Sequence, residues 1–348
     1  MTAMADLVPV PGVMLERLGA LGLDVAQILA RAGVSPAVLG PPRGRLTTAE
    51  FFALWEAIEA MAGSRDLGLR LGAEAMPQKF DIASLAALHS AGVGDALAKL
   101  GKYKRLVCPE EVIVTEVEGE ARVRFHWLLA EGDPPRFLVD ATFASVLAML
   151  RRGAHKPITP LRVELTRRRA DAALLTRHFG CPVHFDAPVD LLVLPAAALV
   201  EPFVTHNADL LALLLPGLDA ELAAQDRRRT LADDVRLALC RRMCGERPSV
   251  DKVARDLRVS SRTLQRRLEE AGTSYQRLLD EVRDQAARRL LTRTDLDASQ
   301  VAFLLGFEEL NSFTRAFQHW AGTTPSRFRA QARVVSAGPA IHGCRRLW

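Results

Sequence analysis

The chain has 348 residues, 49% of them hydrophobic and 25% charged, with a formal net charge of +5. That length fits two domains or three, and the composition excludes a disordered chain, a collagen and a disulfide miniprotein. No apolar run reaches the ~18 residues of a membrane helix; the best candidate, Leu191 to Leu199, contains Pro195.

Met1 to Met14 has no basic stretch ahead of an apolar one, so no secretion signal is expected. Five cysteines without paired spacing fit reduced thiols in a cytoplasm. Charge is unevenly divided. Residues 1–225 carry 22 Lys and Arg against 26 Asp and Glu, whereas residues 226–348 carry 24 against 15. An acidic part is therefore joined to a basic part of domain size, and a basic domain is a footprint for polyanions. Every cation of the basic part except Lys252 is arginine, whose fork suits phosphate and guanine. An Ala- and Arg-rich chain that simply uses Arg for Lys would show the same composition.

In chain order, helical apolar spacing marks Asp24 to Ala32, Thr48 to Met61 and Gly94 to Val107. Thr47-Thr48-Ala49-Glu50 is a helix start. Residues 111–129 alternate around Glu118-Gly119 and predict a hairpin, with Val123, Phe125 and Trp127 on one face and Arg122, Arg124 and His126 on the other. Phe137 to Leu150 predicts a helix, Leu161 to Leu165 and Val189 to Leu194 strands. Pro216, Gly217 and the polar run Gln225 to Arg229 predict a linker. The expected organisation is an α+β domain over 1–215, a linker over 216–230, a domain over 231–331 and a loosely ordered tail over 332–348.

The basic part contains a repeat. Val253 matches Val301, Leu257 matches Leu305 and Val259 matches Phe307. With a one-residue insertion, Leu264 matches Phe313, Arg266 matches Arg315 and Leu268 matches Phe317. Both copies then reach Ala-Gly-Thr, at 271–273 and 321–323. Each copy predicts two short helices with a tight turn. Ser249 and then Ser260 or Ser261 start the helices of the first. Asp297 with Gln300 forms a capping-box pattern in the second, and Gly306 supplies its turn. Thr324-Pro325 starts a further helix. This is an all-α domain of two helix-turn-helix units, 249–272 and 297–322, joined by a long helix.

The joining stretch, Tyr275 to Thr292, repeats Leu278, Val282, Ala286 and Leu290 every four residues. Eighteen helical residues span ~27 Å, against ~34 Å between successive major-groove turns on one side of a duplex. In the first reading helix Leu264 and Leu268 point inward, leaving Arg262, Gln265, Arg266 and Glu269 outward. Arg pairs with guanine and Gln with adenine, while Ser261 and Thr263 are placed for phosphates. In the second, Phe313 and Phe317 point inward and Asn311, Thr314 and Arg315 outward, with Ser312 a phosphate candidate. A solvated charged face is the bland alternative.

Residues ~230–331 resemble the DNA-binding domain of the AraC/XylS family of bacterial transcription regulators. The match runs through Val301 to Phe307, Ser312 to Phe317 and Ala321 to Arg329. The resemblance implies base reading at Arg262, Gln265 and Arg266, and at Leu310, Asn311, Thr314 and Arg315. Two residues depart from the pattern: Arg258 stands where the family usually has glycine, and Leu310 offers a base only an apolar contact. The acidic half resembles the arabinose-binding-type N-terminal effector domain of one subgroup, through Leu21 to Asp24, Leu67 to Gly72 and Phe179 to Phe185. Together these resemblances imply a sequence-specific, effector-controlled transcription factor in the cytoplasm, an activator or a repressor. Its implied partners are double-stranded promoter or operator DNA, an unidentified small molecule, RNA polymerase and a second copy of the chain, with no membrane and no cofactor.

Catalytic patterns are missing: no Gly-x-Ser-x-Gly, phosphate-loop lysine motif or His-Glu-x-x-His occurs. Gly92-Val-Gly94 lacks a third glycine, and Glu110 and Glu111 point apart on a strand. An enzyme is therefore not expected, although an N-terminal enzyme domain fused to a DNA reader is one rival reading. A metal or redox sensor is the other. His178, Cys181 and His184 are spaced as soft ligands, but Pro182 breaks any helix that would align them. Cys240 and Cys244 lie one helical turn apart. His89, Tyr103 and Trp127 are candidates to line an effector pocket, with burial in the core the competing reading.

Overall fold

In the computed structural model the described residues are 7–10, 12–40, 44–74, 81–128, 130, 133–228, 230–242, 248–293 and 296–336. They form two compact units that part at residues 229–230.

The first unit opens with β1 (Val8–Pro9), α1 (Gly12–Ala20) and α2 (Val25–Arg31). Asp24 caps α2 by accepting from the Ala26 and Gln27 amides. Next come β2 (Arg45–Leu46), antiparallel to β1, and α3 (Thr48–Met61). Thr47 and Glu50 close a full capping box on α3, so the start signal in the sequence acts as a physical cap. Then follow α4 (Leu67–Ala73), α5 (Ile82–Leu88) and α6 (Val93–Tyr103), with a 3-10 turn over Lys104–Leu106. The expected hairpin is β3 (Glu110–Val117) and β4 (Glu120–Trp127). Its two-residue turn places Glu118 and Gly119 at φ 52° and 81°, the left-handed pair of a type I′ hairpin.

After α7 (Arg136–Gly153) come β5 (Arg162–Glu164), α8 (Ala172–Phe179), β6 (Val183–His184), β7 (Leu191–Pro195) and α9 (Ala208–Arg228). The five-stranded sheet runs β3-β4-β7-β5-β6, antiparallel except for β5 with β6. Its apolar face, including Val123, Val163 and Leu192, packs with Leu97 and Leu100 of α6 and Phe143 and Leu147 of α7. Helix α4 lies backbone to backbone on α7: a Cβ at Gly68 or Gly72 would strike the main chain of Phe137 or Ala141.

Pro216 and Gly217, expected in a linker, lie inside α9. Proline frees the carbonyl four residues back. Here Ala212 and Pro216 both face solvent, so water can take that bond while Leu211, Leu218 and Leu222 hold the opposite side of the helix in the core.

The second unit is all helical: α10 (Leu231–Arg242), α11 (Val250–Asp256), α12 (Ser261–Glu270), α13 (Tyr275–Arg293), α14 (Ala298–Leu304), α15 (Leu310–Ala321) and α16 (Pro325–Ser336). The sequence repeat is a structural repeat. One core holds Val253, Ala254, Leu264 and Leu268; the other holds Val301, Ala302, Phe313 and Phe317. The tail begins later than expected, because α16 continues to Ser336; residues 337–348 lie outside the described residues.

Candidate nucleic-acid interface and effector domain

The first bihelical module is α11 and α12. Ser249 caps α11 through the Lys252 amide, and Ser260, rather than Ser261, caps α12 through that of Thr263. Between the helices Arg258 sits at φ 55°. The equivalent residue of the second module, between α14 and α15, is Gly306 at φ 71°. Both turns therefore need the left-handed region, which costs a residue bearing a Cβ ~1 kcal/mol or more.

On α12 Leu264 and Leu268 are fully buried, and Arg262, Gln265 and Arg266 are exposed on the other side. Arg266 pairs with Glu270 at 3.0 Å, a solvent-exposed partnership that is easily exchanged. The Ser261 hydroxyl is held by Asp251, and the Thr263 hydroxyl lies 2.8 Å from that of Ser260. On α15 Phe313 and Phe317 are fully buried, while Leu310, Asn311 and Arg315 are exposed. Thr314 and Ser312 are partly exposed, and the Thr314 hydroxyl donates back to the Leu310 carbonyl at 2.9 Å.

Helix α13 joins the modules and spans about 28 Å at 1.5 Å per residue. Its buried positions differ from the expected four-residue row. Leu278, Leu279 and Val282 enter the first core, but Ala287 and Leu291 enter the second, with Ala286 and Leu290 only partly buried. Nine residues at about 100° each make two and a half turns, so Leu278 and Ala287 project from opposite sides.

Arginines from α13 and α16 tie the second module down. Arg283, buried, donates to the Leu305 and Gly306 carbonyls at 3.0 Å each and lies 4.2 Å from the Phe307 ring centre. Arg288 reaches the Trp320 carbonyl at 3.3 Å. Arg329 reaches Leu291 and Leu296. Carbonyls at helix ends have no helical partner, and these side chains supply one.

In the first unit each of the three expected pocket residues has a partner of its own. The His89 ring lies 2.6 Å from the Thr205 carbonyl. Tyr103 is buried and donates to Asp219 at 2.7 Å. Trp127 is buried against Phe51 and Phe52, and its indole donates to Glu110. Around Glu110 lies a group that no local sequence pattern announces. Glu110 is 2% exposed, with the Lys104 ammonium at 3.5 Å and the Cys108 thiol at 3.7 Å. Burial pushes the Glu110 carboxyl and the Cys108 thiol above their usual values. Burial opposes charge on Lys104, but Cys108, Glu110 and Asp81 outweigh it and hold that ammonium above its usual value.

His178, Cys181 and His184 sit in three different surroundings. His178 is half-buried, edge-on to Phe179, Cys181 is buried and His184 is exposed on β6. Among the described residues no three His, Cys, Asp or Glu converge as metal ligands. The Phe179 to Phe185 motif instead makes a turn: Gly180 ends α8 at φ 76°, and Phe179 and Cys181 fill the core. Cys244 and the side chain of Cys240 lie outside the described residues.

Two family models match the chain. The arabinose-binding domain of AraC transcription regulators, N-terminal, matches residues 22–203, and a helix-turn-helix domain matches residues 253–331. An ornithine utilization regulator of Pseudomonas aeruginosa is 31% identical over 93% of this chain and 97% of its own length. The transcriptional regulator VqsM of the same species is 26% identical over 80% of this chain and 87% of its own. A crystal structure of the transcriptional regulator CdpR, also from Pseudomonas aeruginosa, is 24% identical over 92% of this chain and 97% of that one, with a TM-score of 0.43. With a ligand-binding type of domain ahead of duplicated helix-turn-helix modules, the chain belongs to the AraC family of DNA-binding transcription regulators.

Proposed function

We propose that α12 and α15 are the two helices that read DNA, each laid in a major groove. Arg262, Gln265 and Arg266 then meet base edges in one segment, and Asn311, Thr314 and Arg315 in the next. Leu310 offers a thymine methyl a contact. Thr263 and Ser312 approach phosphates; Ser261 does so by giving up its bond to Asp251. The observation that carries the reading is the doubled amphipathic helix: fully buried Leu264 and Leu268, or Phe313 and Phe317, behind an exposed polar row. The first unit, α9 included, acts as effector and self-association domain, and 231–331 as DNA-binding domain. A small metabolite bound in the first domain changes the affinity of the second for an operator, because it binds the two states unequally. RNA polymerase is the partner at the promoter, and the cytoplasm the place of action.

Operator binding by the full chain tests this. Arg266→Ala and Arg315→Ala should each cost about 1–3 kcal/mol and relax base preference locally. With about six phosphates neutralised, log affinity should fall against log salt with a slope near −5. Parental binding of operator and random duplex by both variants would overturn the assignment.

A further inference from the structure

A partly open cavity of about 50 Å³ in the first unit is lined from α5, α6 and the turn that follows it, α7 and β4. Its wall carries two kinds of group. Leu100, Phe125, Val146 and Met149 are apolar; Ser84, Thr142, Ser145 and the Lys104 ammonium are hydrogen-bond donors. Ser84 is engaged with Asp81 at 2.8 Å. Among the described residues the Thr142 and Ser145 hydroxyls have no hydrogen-bond partner. An ammonium has three donors, and the 3.5 Å approach of Glu110 is at the limit of one hydrogen bond.

We propose that this cavity is a ligand site and that it takes a short aliphatic carboxylate of two to four carbons. The inference rests on the reading of this unit as an effector domain, and names the class of effector. The carboxylate accepts from Lys104, Thr142 and Ser145, and charge-assisted bonds of this kind are the strong ones. The alkyl end lies on Leu100, Phe125 and Met149. A water needs ~10–15 Å³ of such space, so the cavity takes the equivalent of about three to five waters, a head group and a short alkyl end. An aldopentose, with ten heavy atoms, does not fit it, whatever the domain type's name.

Thermal unfolding of the full chain with acetate, propionate or butyrate tests the site, against sodium chloride at equal ionic strength and against arabinose. Propionate should raise the unfolding temperature in a saturable way, and arabinose should not. Lys104→Gln should weaken propionate binding at least tenfold. Thr142→Val and Ser145→Ala, which leave the Lys104–Glu110 pair in place, should weaken it three- to tenfold each. No saturable shift with any of the three acids overturns the site. Equal shifts in the parent and in both hydroxyl variants also overturn it. A different metabolite that changes operator binding equally in the parent and in these variants would leave effector control standing while removing it from this cavity.

Discussion

Arg283 of α13 donates its Nε–H to the Leu305 carbonyl at 3.0 Å, and so fastens the connector to the turn of the second module. The same guanidinium reaches Gly306 and stacks on Phe307. Hydrogen bonds to a charged partner contribute about 1.5–3 kcal/mol each. Arg283→Met should therefore lower the unfolding free energy of the second unit by about 2–4 kcal/mol, read by urea denaturation. Binding to a half-site read by α12 should stay near parental, while binding to a two-segment operator drops about tenfold. Arg283→Lys keeps the charge without the fork and should recover only part of the loss.

Gly72 meets Ala141 of α7 with no room between the backbones. Gly72→Ala forces α4 and α7 apart, and overpacking of this kind costs about 1–3 kcal/mol. Gly63→Ala, where nothing lies within 4 Å of the added carbon, is the control. Equal denaturation midpoints for the two variants would show that the close approach does not carry the packing.

Arg258 lies in the left-handed region, where glycine has no Cβ penalty. Relief of about 1–2 kcal/mol outweighs the ~0.5–1 kcal/mol by which glycine raises the entropy of the unfolded chain. Arg258→Gly should thus raise stability by about 0.5–1 kcal/mol, seen as a higher denaturation midpoint. A lower midpoint would mean that Arg258 makes contacts worth more than its strain.

Glu120 on β4 is gripped by Arg162 on β5, whose two terminal nitrogens meet its oxygens at 2.5 and 2.9 Å. Hydrogen bonding to Arg162 first, then to Arg122, pulls the Glu120 carboxyl down to about 2. Because the folded value lies below the unfolded one, the stabilisation is complete above about pH 4.5. It drains away as pH falls towards 2. Glu120→Gln should leave less to lose across that window. Parent and variant unfolding curves should therefore converge as pH drops from 5 to 2, and parallel curves would contradict this.

The DNA-reading unit was legible because its pattern is written twice. Val253 and Val301, or Leu264 and Phe313, mark equivalent positions, and the pairing of Arg258 with Gly306 marks the turn that takes positive φ in both copies. The burial of α13 was half legible: a four-residue row assumes one face, whereas two cores on opposite sides of the helix need two. In the first unit the capped helix α3 with its Thr47–Glu50 box was visible, whereas α9, the longest helix there, was masked by Pro216 and Gly217. The short helices α4, α5 and α8 span seven or eight residues, too few for periodicity to separate from loop. The cavity was invisible, since Ser84, Lys104, Phe125 and Ser145 meet only through the packing of four distant elements. Tyr103 and Trp127 each have an apolar body and a polar tip, and the tips serve Asp219 at the surface and Glu110 in the core.

The connector also bears on how such a protein can be divided. Leu278 and Val282 complete the hydrophobic interior of the leading module, and Ala287 and Leu291 that of the trailing one. Neither half of the duplication is self-sufficient. A fragment ending at Gly272 would leave Leu264 and Leu268 open to water, and one beginning at Asp297 would do the same to Phe313 and Phe317. The smallest autonomous DNA reader cut from this chain therefore retains both copies and the whole helix between them.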